Sequence, residues 1–130
     1  MVKRERNDFM KFEMNNREWE IKELDGLTLK EVFIDETGLD DIRIVFGMTD
    51  YKNQMILLND KLTFDGKIKT LCHELTHCYI SEYCCQDKET YTEEEMCDIN
   101  ANSHYIIHDI VERYMEGTQI YERGEFIDKR

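Results

Sequence analysis

Residues 70–80 read TLCHELTHCYI. His73 and His77 stand four apart, Glu74 follows the first, and Leu71, Cys72, Leu75 and Cys78 supply an apolar flank. Apolar side chains at that spacing predict a helix, and DGKIKTLCHELTHCYISEY (65–83) makes it a long one with Asp65 as its N-cap. In a helix, residues i and i+4 lie roughly 40° apart around the axis and about 6 Å along it. The two imidazoles therefore point the same way and can share one metal ion. Glu74 is offset from their face, far enough to miss the metal and near enough to reach a water bound to it. That is the physical content of H-E-x-x-H: two zinc ligands and a general base on one turn. The competing reading is a metal-free helical core in which an amphipathic helix happens to carry two histidines.

A hydrolytic zinc site usually takes three protein ligands and keeps one position for water. The third is expected from the next helix, TEEEMCDINANSHYIIHDIVERYMEG (92–117). There Thr92 and Glu95 fit a capping box, and Ile99, Ser103, Ile106, Ile107, Ile110 and Tyr114 form the buried stripe. Gly117 is expected to stop the helix. Glu94 and Asp98 share one helical face, so Glu94 is the expected ligand, with Asp98 accepting the free N–H of a ligating histidine. Ala101 continues that face with a small side chain that would let two helices approach closely. Glu93 is the alternative ligand, because it lies nearer the apolar stripe, while Glu95 is better used in the cap.

Working back toward the N-terminus, FMKFEMNNREWEIKEL (9–24) alternates apolar and polar residues around Asn15-Asn16. Asparagine tolerates positive φ, so a tight hairpin is predicted. LTLKEVFIDETG (27–38) has helical spacing and ends at Gly38. DIRIVFGMTD (41–50) and NQMILLND (53–60) then predict a second hairpin, with strands at 41–49 and 53–59. The expected fold class is α+β, a small antiparallel sheet built from N-terminal hairpins and packed against the H-E-x-x-H helix and a second long C-terminal helix. TQIYERGEFIDKR (118–130) predicts either a terminal strand or a frayed end.

TLCHELTH followed by EEEMCDINA resembles the small ImmA/IrrE-like zinc metallopeptidases common in phage and other mobile elements. The strand QMILLND ahead of the motif and the Glu-x-x-(Ala/Cys)-(Asn/Asp) helix belong to the same likeness, which spans residues 42–111. More broadly, the chain looks like the gluzincin group typified by thermolysin, in which a glutamate of E-x-x-x-D completes H-E-x-x-H. The resemblance implies a minimal catalytic domain that binds Zn2+ and cleaves a peptide bond in an intracellular protein, often a transcriptional repressor. Glu74 would then take the proton of the zinc-bound water and pass it to the leaving amine. A donor to the oxyanion is not singled out: Tyr79, Tyr83 and Tyr105 are all open to that role, and His104 and His108 read as exposed or packed histidines. A zinc-stabilised protein-binding module without proteolysis is the alternative.

The whole chain sets outer bounds. Its 130 residues, 41% apolar and 35% charged, suit one globular domain over 1–130. A net charge of −12 without a basic block repels phosphate backbones, so nucleic acid is not an expected partner; a protein or peptide substrate is what the resemblance implies. No apolar run approaches the ~20 residues a bilayer span needs. MVKRERNDFMKF (1–12) lacks the apolar core of a signal peptide, which predicts a cytoplasmic protein. Five cysteines without a C-x-x-C pair are expected to be reduced, with the adjacent Cys84 and Cys85 structural or semi-exposed.

Overall fold

A computed structural model of the protein describes residues 9–38, 45–84 and 90–123. The first hairpin forms as its sequence predicts: β1 (Phe9–Met14) and β2 (Arg17–Leu24) pair antiparallel, with Phe12 opposite Trp19. Asn15 and Asn16 both take positive φ (57° and 63°), the left-handed pair that a two-residue turn between twisted strands requires. Helix α1 (Gly26–Thr37) follows, capped by the Asp25 carboxylate on the Thr28 N–H and closed by Gly38 at φ 75°. Those Asp25 hydrogen bonds, above all the one from the Thr28 backbone, hold its carboxyl below the ordinary value.

The second hairpin comprises β3 (Gly47–Asp50) and β4 (Met55–Asn59), joined by a turn over 51–54 in which Gln54 has positive φ. Asp50 braces that turn by accepting from the Asn53 N–H at 3.1 Å and its amide at 2.8 Å. Part of the strand expected over 41–49 (residues 41–44) lies outside the described residues.

The fold is α+β, but the sheet is mixed. Its order is β1-β2-β4-β3, with β2 and β4 parallel and both hairpins antiparallel. The chain carries α1 between the two hairpins, so β4 can join β2 in the same direction while β3 folds back to the outer edge. This corrects the expectation of an all-antiparallel sheet.

Three helices cover the sheet. Leu29 of α1 buries with Met48 and Leu57 on one face. On the other, Phe12, Trp19, Ile21, Ile56 and Leu58 meet Leu71, Leu75 and Cys78 of α2 (Phe64–Tyr79) and Ile110 and Tyr114 of α3 (Glu93–Arg123). The period-two alternation of β4 thus feeds two cores, each buried large side chain contributing about 1.5–3 kcal/mol. Glu23 of β2 ties the layers together: Lys67 Nζ lies 3.0 Å from one carboxylate oxygen, and the Tyr114 hydroxyl donates to the other.

Two helix boundaries differ from expectation. Thr63, not Asp65, caps α2, because its hydroxyl accepts from the Gly66 N–H at 3.0 Å; Asp65 stands in the first turn. Helix α3 runs on through Gly117 to Arg123, since Gly117 does not adopt the left-handed conformation that closes a helix. The backbone of 118–123 is therefore helical, and 124–130 lie outside the described residues. The capping box forms: the Thr92 N–H donates to Glu95 Oε1 at 2.9 Å, and the Glu95 N–H to Thr92 Oγ1 at 3.1 Å. Among the described residues, no helix is long and apolar enough to cross a membrane.

Candidate metal centre and its groove

Helix α2 presents His73 and His77 as exposed neighbours, their ring centroids 4.9 Å apart in an edge-to-face arrangement. The i, i+4 spacing has put both imidazoles on one face, as the sequence predicts. Glu74 turns away from them toward the sheet and is buried, with 7% of its surface exposed. It sits against β3, where the Thr49 hydroxyl lies 2.7 Å from Glu74 Oε1 and 3.2 Å from the Glu74 carbonyl oxygen.

Beside this contact runs a groove of about 970 Å³, lined by His73 and Glu74 of α2, by Phe33 of α1 and by Phe46 and Gly47 at the start of β3. Gly47 sets the spacing here. A Cβ at that position would lie 2.6 Å from Thr70 Cγ2 and 3.0 Å from the Leu57 carbonyl oxygen, so any side chain would force α2 off the strand. Strand β3 lines the groove as a sheet edge, since β4 is its neighbour on one side and none of the described strands lies on the other.

Tyr51 follows β3 and is half exposed. Partial burial first, then the charges of Glu74 and Cys78, push its phenol above the ordinary value. Sequence reasoning missed Tyr51, since nothing in the second hairpin's pattern says which turn residue reaches α2. The three tyrosines it did name are placed differently. Tyr79 is buried, the Tyr83 hydroxyl accepts the Asn15 N–H at 2.7 Å, and Tyr105 is 83% exposed next to the His104 ring.

Glu93, Glu94 and Asp98 are exposed on the first turns of α3, and Glu95 serves the cap. Among the described residues, no three His, Cys, Asp or Glu side chains form a group that could hold a metal. The structure therefore brings together the two histidines, and it does not bring Glu94, Glu93 or Asp98 to them. Two imidazoles on one helical face are the donor type a divalent transition ion prefers, and among the described residues they are two ligands without a third.

A second acidic residue went unread. Glu82, in the π-helical turn Ile80–Cys84 that extends α2, is 7% exposed. Its Oε2 accepts from Trp19 Nε1 at 2.7 Å and from Arg17 Nε at 3.0 Å, while its carbonyl accepts the Asn15 amide at 2.8 Å. This knot fastens the first hairpin to the end of the helix that carries the histidines. Cys78, one turn earlier, is fully buried; that burial, and then Glu82, push its thiol up to about 12. Among the described cysteines none is paired: Cys78 is buried, Cys72 and Cys84 are partly buried, and Cys97 is exposed.

No family model matches the chain, and neither a curated protein nor a solved structure matches it.

Proposed function

We propose that the chain is a zinc-dependent peptidase that cleaves a protein or peptide in the cytosol, with a regulatory or repressor protein of a mobile element as the substrate class. The observation that carries this reading is the placement of Glu74. It is a buried carboxylate held by one neutral hydroxyl, on the wall of an open groove and next to an exposed histidine pair. His73 and His77 would hold the ion; Glu94, the third ligand the sequence favours, would have to move in from the first turn of α3, with Asp98 then supporting a histidine N–H.

Zinc, when bound, lowers the pKa of its water toward ~7 and polarises a carbonyl. Glu74 takes the proton of the attacking water and returns it to the leaving amine. Thr49 holds the Glu74 carboxylate in one orientation. The edge of β3 gives an extended peptide backbone groups to pair with, and the groove receives its side chains. One observation favours the alternative, a zinc-stabilised binding module: no third ligand stands with the histidine pair among the described residues.

Parent and Glu74→Gln proteins expressed in the native cytosol, followed by mass spectrometry of fragments and capture of bound partners, separate the two. A peptidase gives fragments with the parent alone, and the variant retains the uncut partner. A partner held equally by both proteins, with no fragments from either, establishes the binding module instead.

A further inference from the structure

On the flank of α2 opposite Glu74 lies a second cavity, of about 540 Å³, between α2 and α3. Its walls are mostly apolar, with Ile80 on one helix facing Met96, Ile99 and Ile107 on the other. One polar group among the lining residues stands out. Ser103 is 3% exposed, and its hydroxyl has no hydrogen-bonding partner among the described residues. A serine in mid-helix ordinarily donates back to the carbonyl four residues earlier, as Thr76 does to Cys72 at 2.8 Å. A buried hydroxyl without a protein partner costs about 1–3 kcal/mol, which a hydrogen-bonding occupant of the cavity would recover.

The lining also decides the charge of that occupant. Among the described residues around the cavity there is no Asp, Glu, Lys or Arg, the side chains able to carry positive charge are the two histidines at its exposed margin, and the net charge of −12 opposes anions at long range. His104 and His108 border it as exposed imidazoles, ring centroids 5.7 Å apart, and add hydrogen-bonding capacity at its margin. We propose that this cavity is a binding site for a small, uncharged, mostly apolar molecule with one hydrogen-bonding group, of the size and polarity of a substituted phenol, whose polar atom pairs with Ser103. The volume falls in the range of about 300–1,000 Å³ typical of small-molecule sites. Its occupant bridges the helix that carries His73 and His77 to the helix that carries Glu94. Neither the cavity nor Ser103 depends on whether the histidines hold zinc.

The probes are para-ethylphenol, ethylbenzene and para-ethylbenzoate, titrated into the full chain with isoleucine and valine methyl groups followed by NMR. The phenol should shift Ile99, Ile107 and Val111 saturably and bind about 2- to 10-fold more tightly than ethylbenzene, the range of one net hydrogen bond. In Ser103→Ala, a change that removes a single buried oxygen, that preference should vanish while ethylbenzene still binds. The benzoate should bind the parent at least tenfold more weakly than the phenol. Absence of saturable shifts at these methyls, a hydroxyl preference that survives in Ser103→Ala, or a benzoate as tight as the phenol would each overturn the proposal.

Discussion

Glu74 and Glu82 lie eight residues apart along one continuous helical segment, and each has 7% of its surface exposed. Their surroundings differ. Glu82 is satisfied by an indole N–H and a guanidinium, both donating to the same oxygen, and its backbone is clamped by Asn15. Glu74 has one hydroxyl donor, no cation among its described partners, and an open groove at its side. A buried carboxylate paired with a cation and an indole is committed to architecture. One held only by a neutral group keeps its lone pairs available for a proton. Burial alone does not distinguish them; the partners do.

The widest separation between the two is expected in turnover. Replacing Glu74 by Gln should reduce peptide cleavage by about 10²–10⁴-fold, the usual contribution of a general base, and leave urea unfolding within about 1 kcal/mol of the parent. Glu82→Ala should do the reverse. It leaves a buried indole N–H and a guanidinium without their acceptor and should lower unfolding free energy by about 3 kcal/mol, while cleavage measured well below the unfolding transition persists. Equal effects of the two variants on both readouts would erase the distinction.

Cys78 lies between them and reports on the same helix through pH. Its folded thiol is raised to about 12 from an ordinary value of 9.0, so the stabilisation from keeping it neutral is intact below pH 9 and is lost as pH rises toward 12. Thermal melts of the parent should therefore fall more steeply over that window than those of Cys78→Ala. Parallel pH profiles would show that Cys78 contributes no such linkage. The smallest effect belongs to Arg17→Ala. The Arg17 side chain is 55% exposed, so its pair with Glu82 is screened by solvent, and unfolding free energy should drop by no more than about 1 kcal/mol.

The contrast between local and distant contacts also explains what the sequence made legible. Asn15-Asn16, Gly38, the Thr92/Glu95 box and the shared face of His73 and His77 are each decided within a few residues, and all four form as read. The parallel pairing of β2 with β4 depends on where α1 returns the chain, which no local pattern encodes. Glu82 was passed over because its partners, Arg17 and Trp19, lie 65 and 63 residues away. Thr63 outcompeted Asp65 as the cap through one hydroxyl contact to Gly66, a choice that spacing leaves open by two residues. At the candidate site, the helix-borne part was legible and the strand-borne part was not: Thr49 reaches Glu74 only through tertiary packing.

The proposed zinc site at His73 and His77 is open to elemental analysis of the purified protein. The parent should carry close to one zinc per chain, Glu74→Gln should keep it, and His73→Ala and His77→Ala should each lose most of it while retaining the parent's circular dichroism. Near-stoichiometric zinc in the double histidine variant, or a folded parent that takes up no zinc when it is supplied in excess, would contradict the account.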